Sequence, residues 1–218
     1  MFTLRPYHKE AISALFGSDL TRPATVLPTG AGKTVIFSDM VSTIRKRGGR
    51  PIVLVHRDEL ARQSRNKIVA MNPGLNVGVV QGTQNEIDAD ILIGSVWTLG
   101  RQNRLAQLTG VTDVIVDECH HAAADTYLRV LTHLGSFDAT KTYGFTATMV
   151  RASGNRNLGD VWEDVVYSKS ILWMIRNGFL VEPTGYTVDV PDLDLSGVQT
   201  SGGAFSVTDL GDALLTSQ

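Results

Sequence analysis

The sequence predicts an α/β fold with a mostly parallel sheet sandwiched between helices, and two features predict it. Short β-branched, apolar runs alternate with amphipathic stretches of helix length, and the runs are apolar on both faces, as strands covered on each side must be. Strings rich in Gly, Thr and Asp follow those runs directly, where an open parallel sheet presents its ligand-binding loops.

In chain order, Pro6–Phe16 reads as a helix ahead of the first strand. Strands are expected at Ala24–Leu27, Ile52–Val55, Val77–Val80, Ile91–Ile93, Val114–Val116 and Thr142–Phe145, with helices at 33–47, 58–70 and 122–134 between them. Met149–Asp160, rich in Gly, Asn and Arg, reads as a mobile loop. A further helix starts near Ser170, an N-cap residue type, passes through Ile171, Leu172 and Ile175, and stops at Gly178 in the C′ position. After Pro183 the character changes, with one more strand at Tyr186–Val190 and then a Gly- and Ser-rich stretch at 196–203 that reads as flexible linker. The expected organisation is one domain over residues 1–185 and a linker or tail over 186–218.

Composition sets the outer limits. At 218 residues, with 43% hydrophobic and 19% charged residues, the chain has an ordinary globular make-up and core enough to fold without disulfides. No apolar run approaches the roughly 18 residues of a membrane span, and the start lacks a signal-peptide core. A single cysteine, Cys119, suits a reducing cytoplasm, so cytoplasmic localisation is expected. The net charge of −2 makes no global case for nucleic acid. Locally, residues 41–70 carry eight basic against two acidic side chains, a charge of +6, and residues 181–218 carry six acidic and no basic ones. The basic stretch can contact phosphates or be a solvated helix face.

Two strings carry chemistry. Pro28-Thr29-Gly30-Ala31-Gly32-Lys33-Thr34 follows an expected strand and opens an expected helix. Gly30 and Gly32 let the backbone curl so that its N–H groups face phosphates, and the helix N-terminus adds positive potential. Lys33 reaches the β- and γ-phosphates and the Thr34 hydroxyl ligates Mg²⁺, the arrangement of a P-loop NTPase. Leu27 stands where the general pattern has its first glycine. The second string, Asp117-Glu118-Cys119-His120, caps the run Val114–Val116. Adjacent carboxylates at a strand tip point in different directions and divide the work: Asp117 holds Mg²⁺ through its water shell, and Glu118 orients and deprotonates the attacking water. Zinc does not suit Cys119, His120 and His121, because a structural zinc site wants four ligands and there is no second cysteine. His120 fits better as a link between the acidic box and its neighbours. His121 reads as a partly exposed helix residue and His133 as structural.

These motifs, with Thr146-Ala147-Thr148 after the next strand, resemble the first RecA-like domain of superfamily 2 helicases, in the DExH branch, nearest the DNA repair, phage and type I and III restriction-subunit helicases. The likeness covers nearly all of residues 1–185. It implies an ATP-dependent helicase or translocase using ATP and Mg²⁺, with DNA as partner and RNA also allowed. Leu4-Arg5-Pro6-Tyr7-His8 looks like the adenine-reading motif, with Arg5 against the base and His8 where the family usually has glutamine. Val55-His56-Arg57-Asp58-Glu59-Leu60 looks like a nucleic-acid motif, with Arg57 on a phosphate. Gly82, Ser95 and Thr98 match strand-tracking positions. Trp97 replaces a usual glutamine and either packs in the core, the favoured reading, or stacks on a base. Thr146 and Thr148 would couple hydrolysis to domain movement, and Met149 stands where a proline is usual. The family's arginine that reaches the γ-phosphate belongs to a second RecA-like domain, whose Q-x-x-G-R-x-x-R string does not occur here. The expectation is therefore a monomeric amino-terminal half that works with a second domain in cis or in trans. A restriction-type translocase subunit and a non-catalytic ATP-binding module are the alternatives, and Glu118 weighs against the module, which needs no water-activating base.

Overall fold

The computed structural model describes residues 3–56, 58–149, 157–185, 195–201, 204–206 and 208–211. Eight strands form one sheet: β1 (Pro23–Val26), β2 (Pro51–Val55), β3 (Val77–Gln81), β4 (Gln84–Asn85), β5 (Ile91–Ser95), β6 (Asp113–Asp117), β7 (Lys141–Thr146) and β8 (Asp164–Ser168). Their order across the sheet is β4-β3-β5-β2-β6-β7-β1-β8. All pairs are parallel except β3 with β4.

Alternation along the strands builds two cores. Val53 and Val55 of β2, Ile91 and Ile93 of β5 and Ile115 of β6 enter one. Ile52 and Leu54, Leu92, and Val114 and Val116 enter the other. Successive side chains of a strand point to opposite faces, so a continuous apolar run feeds both cores at once. The first core is closed by α1 (Pro6–Gly17), α2 (Lys33–Lys46) and α3 (Asp58–Met71). The second is closed by α4 (Val96–Leu99), α5 (Gln102–Leu105) and α6 (Asp125–His133). This is the sandwiched parallel sheet that the sequence predicts. No helix among the described residues is long and apolar enough to cross a membrane.

The elements that the sequence misses are short or lie at an edge. β8 extends the sheet beside β1; its apolar run is only Val165-Val166-Tyr167, set between charged and polar residues and partly exposed, too short to stand out in the sequence. The helix expected at 122–134 begins instead with a 3₁₀ turn at Cys119–His121 and resumes as α6. In α7 (Ile171–Arg176) the Ser170 hydroxyl accepts the Trp173 N–H at 3.1 Å, and Gly178 has a φ of 70°, so both helix-end expectations match the coordinates. Of the loop expected at Met149–Asp160, residues 150–156 lie outside the described residues, and Leu158–Asp160 form a 3₁₀ turn. The strand expected at Tyr186–Val190 also lies outside them.

The chain divides into two compact units, Met1–Val181 and Glu182–Gln218. Within the second, β9 (Thr200–Ser201) pairs antiparallel with β10 (Ala204–Phe205), and residues 208–211 form a turn of helix. The pair takes in Thr200 and Ser201 of the stretch expected as flexible linker.

Candidate functional site

The loops after β1, β6 and β7 meet because β7 lies between the other two. Pro28–Gly32 leave β1 and lead straight into α2. Gly30 and Gly32 have φ of 82° and 78°, backbone that residues with a Cβ rarely adopt. A Cβ on Gly32 would also crowd His8, standing 3.0 Å from its Nε2. The loop is tied by Ala31 N–H to the Pro28 carbonyl (3.1 Å) and by Val35 N–H to the Gly32 carbonyl (2.8 Å). Lys33 opens α2, and its ammonium donates to the Leu27 carbonyl at 3.2 Å, which lays the charge across the inside of the loop. Thr34 follows on the first turn of α2.

Asp117 ends β6 nearly buried, and its Oδ1 accepts the Glu118 N–H at 3.0 Å. Burial first, and then the neighbouring Glu118 carboxylate, push its carboxyl up to about 6, while the Glu118 N–H and the Lys33 charge pull the other way. Glu118 is the one non-glycine with positive φ among the described residues, at φ 50° and ψ 49°. Such a left-handed conformation costs of order 1–3 kcal/mol and persists only where the surroundings over-determine it. Here the 3₁₀ turn that follows and a hydrogen bond from Trp162 Nε1 to the Cys119 carbonyl (3.1 Å) hold the box in place.

His120 joins the acidic box to β7. Its Nδ1 lies 2.9 Å from Thr146 Oγ1 and 3.4 Å from Glu118 Oε2. The Thr146 hydroxyl gives its own proton to the Thr148 carbonyl at 2.7 Å and accepts the Thr148 N–H at 3.2 Å. It can therefore only accept from His120, which puts a proton on Nδ1. Glu118, His120, Thr146 and Thr148 form one connected network. His121 stacks on His56 with ring centroids 4.1 Å apart, and a cavity of about 500 Å³ opens among Thr29, His56, Glu118, His120 and Ala147.

Sequence reasoning leaves open whether His8 is a surface residue. It is buried, and both ring nitrogens are in use. Nδ1 accepts the Arg5 N–H at 3.2 Å, the service that Glu or Gln gives at the third position of a helix, and Nε2 therefore donates to the Ala31 carbonyl at 2.9 Å. Tyr7 OH donates to the same carbonyl, also at 2.9 Å. Both nitrogens are taken within the protein, and through the Ala31 carbonyl the ring braces the phosphate loop. Arg5 stays exposed, 5.3 Å above the Phe179 ring, beside a cavity of about 210 Å³ that reaches from Thr3 to Gly32. Behind this corner the Tyr7 ring of the motif packs on Trp173 and Phe179, which carry no local motif and escaped the sequence reading.

The nucleic-acid candidates divide. Arg57 lies outside the described residues. Gly82 is exposed, and its N–H donates to Thr98 Oγ1 at 2.9 Å. Thr98 is 8% exposed and Ser95 fully buried, so as placed neither hydroxyl faces solvent; Thr98 supports Gly82 from behind. Trp97 is 65% exposed, which corrects the expectation that it packs in the core: its neighbours Val96 and Leu99 take the buried face of α4 and leave the indole outside. His133, expected to be structural, is exposed on the last turn of α6.

Comparison with known proteins agrees with this geometry. Residues 1–151 match the family described as "Type III restriction enzyme, res subunit" (ResIII). The chain is 34% identical over 230 residues to IRC3 of Saccharomyces cerevisiae, named as a candidate ATP-dependent helicase, covering 99% of this chain and 33% of that protein. It thus spans about a third of the length of that relative. Among solved structures, the UvsW helicase from bacteriophage T4 superposes with a TM-score of 0.63 at 17% identity, over 76% of this chain and 60% of that one. The type ISP restriction-modification enzyme LlaGI, solved with a DNA substrate mimic, gives 0.62 at 12% identity, over 82% of this chain and 21% of that one. At these identities the superpositions show the fold alone.

Proposed function

The chain belongs to the family of the type III restriction enzyme res subunit, and on that premise we propose that it is the nucleotide-binding first motor domain of an ATP-driven helicase or translocase acting on DNA. One observation carries the reading: the phosphate loop, the acidic box and the Thr146–Thr148 strand end converge at the carboxyl ends of three adjacent interior strands, joined through Lys33, His120 and Thr146. In this proposal the N–H groups of Thr29–Lys33 and the Lys33 ammonium hold the phosphates, Arg5 lies against the base, and Pro28 sets the loop's departure from β1.

Thr34 and Asp117 fit Mg²⁺ as hard oxygen donors, and a cation beside Asp117 would favour the ionised carboxylate that burial opposes. Among the described residues no group of three or more His, Cys, Asp or Glu is placed to hold a metal, so a cation here shares phosphate oxygens and water. When bound, Mg²⁺ would neutralise charge on the phosphates. Glu118 accepts the proton of the attacking water as the water oxygen bonds the γ-phosphorus and the bridging oxygen leaves with ADP. His120, donating to Thr146 and facing Glu118, makes the position of the base depend on the Thr146–Thr148 strand end.

DNA as the track is supported by the relatives: LlaGI is solved with a DNA substrate mimic, and IRC3 is named for helicase activity. Arg57 and Gly82 are the proposed backbone contacts, with Thr98 holding the Gly82 N–H and Ser95 at the end of β5, just before it in sequence. The motor domain is proposed to span 1–185, with 186–218 leading towards a second RecA-like domain, the chain itself monomeric and its setting the cytoplasm.

The test is a calorimetric titration with ATP and Mg²⁺. Lys33→Ala removes a charge-assisted phosphate contact and should weaken binding at least about tenfold, roughly 1.4 kcal/mol. Glu118→Gln should bind ATP as the wild type does. Equal affinities for wild type and Lys33→Ala would remove the phosphate loop from the account.

A further inference from the structure

Most exposed apolar side chains need no explanation, since much of any protein surface is apolar. Trp97 differs in how it is held. It sits on a single helical turn whose other residues are locked inward: Val96 and Leu99 are buried, and Thr98 holds the Gly82 N–H. Leu99 packs so closely under β5 that a Cβ on Gly94 would come within 2.4 Å of it. Arg129 Nη1 donates to the Gly100 carbonyl at 3.0 Å and Arg104 Nη2 to the Gly82 carbonyl at 3.1 Å, closing the turn from both sides. The indole rests with its plane tilted 54° to that of His56, 6.3 Å away, while 65% of the residue stays open.

Arg101 directly follows this turn and Gly100, and Arg104 and Arg129 donate to the carbonyls of Gly82 and Gly100 against it. An open aromatic face on a braced turn, with arginines on the segments that brace it, is the chemistry that binds a single nucleic-acid strand: the cations draw the phosphates and the ring takes a base. A base inside a duplex has its π-faces covered by its neighbours, so only an unpaired one can lie on the indole.

We propose that Trp97 is a stacking site for an unpaired nucleobase, giving this domain a preference for single-stranded over duplex nucleic acid. The proposal rests on the nucleic-acid reading above and adds a residue, a contact type and a strandedness to it. It also continues into the nucleotide site, since His56 behind Trp97 stacks on His121, and His121 lies 4.1 Å from His120, the partner of Glu118.

The test measures binding of the 218-residue chain to three labelled probes at low salt: a short oligothymidylate, a strand of the same length with abasic sugars, and a blunt duplex. Trp97→Gln should weaken oligothymidylate binding at least about fivefold, the lower end of what one stacked base contributes. It should leave the abasic strand, the duplex and ATP affinity within about twofold, and Trp97→Phe should recover most of the loss. Oligothymidylate should also quench a fluorescence component that Trp97→Phe lacks, with Trp162 and Trp173 as background. Unchanged oligothymidylate binding in Trp97→Gln, an equal loss on all three probes, or a wild type that self-associates through Trp97 would each overturn the proposal. A wild type that binds none of the probes would instead overturn the nucleic-acid reading, and this proposal with it.

Discussion

At His8 two hydrogen bonds fix the tautomer, and the tautomer fixes the response to pH. Burial lowers the pKa of the ring, the Ala31 carbonyl raises it and the Arg5 charge lowers it again. A histidine held neutral in the fold binds fewer protons than it does unfolded, so stability should fall as pH drops below about 6.5. His8→Gln keeps an acceptor for Arg5 and a donor for Ala31 without titrating, and should flatten the fall in melting temperature between pH 7.5 and 5. Identical slopes in the two proteins would contradict the assignment of these bonds. Asp117 has the opposite sign. Its carboxyl is raised from 3.8 to about 6, so it adds stability that is complete below pH 4 and lost as pH rises through 6. Asp117→Asn should therefore melt higher than the wild type at pH 8, by up to roughly 2–3 kcal/mol, and match it near pH 4. In the same variant ATP should lose its dependence on Mg²⁺. A variant less stable than wild type at pH 8 would refute the picture of a carboxylate that burial holds against ionisation.

At the scale of elements, legibility followed locality. The six interior strands were readable because each is a contiguous apolar run, and the phosphate loop and acidic box because each is a contiguous string. β8 was not, because its Val165-Val166-Tyr167 run is three residues long, lies at the edge and is flanked by Asp164 and Ser168. α4 was hidden inside Gly94–Thr98, where the apolar run continues past the strand end and only tertiary packing decides which residues turn inward. The supports of the site were invisible for a related reason: Trp162 reaches Cys119, and Phe179 reaches Arg5, across separations that no local pattern encodes. The N-cap of α7 shows what a local signal does deliver. Ser170→Ala should cost about 1 kcal/mol by removing the Trp173 cap, read as a lower melting temperature that Ser170→Asp restores. No change on capping loss would mean that the short helix is held by packing alone.

At the scale of the whole molecule, everything proposed for binding ATP lies within Met1–Val181, whereas turnover asks for more. Lys33 supplies positive charge on one side of the phosphates. The proposed second RecA-like domain supplies an arginine on the other, and loss of such a group typically lowers the rate by about 10³–10⁵. Nucleic acid should then stimulate this chain little by itself, because stimulation works by closing two domains around the nucleotide. The most direct measurement is steady-state phosphate release by the purified 218-residue chain, with and without DNA, at ATP concentrations that calorimetry shows to be saturating. The expected result is release far slower than one per second and nearly indifferent to DNA, restored to DNA-dependent turnover when the second domain is supplied. Release of several per second from the monomeric chain would show that it completes the site unaided and would contradict its reading as one half of a motor.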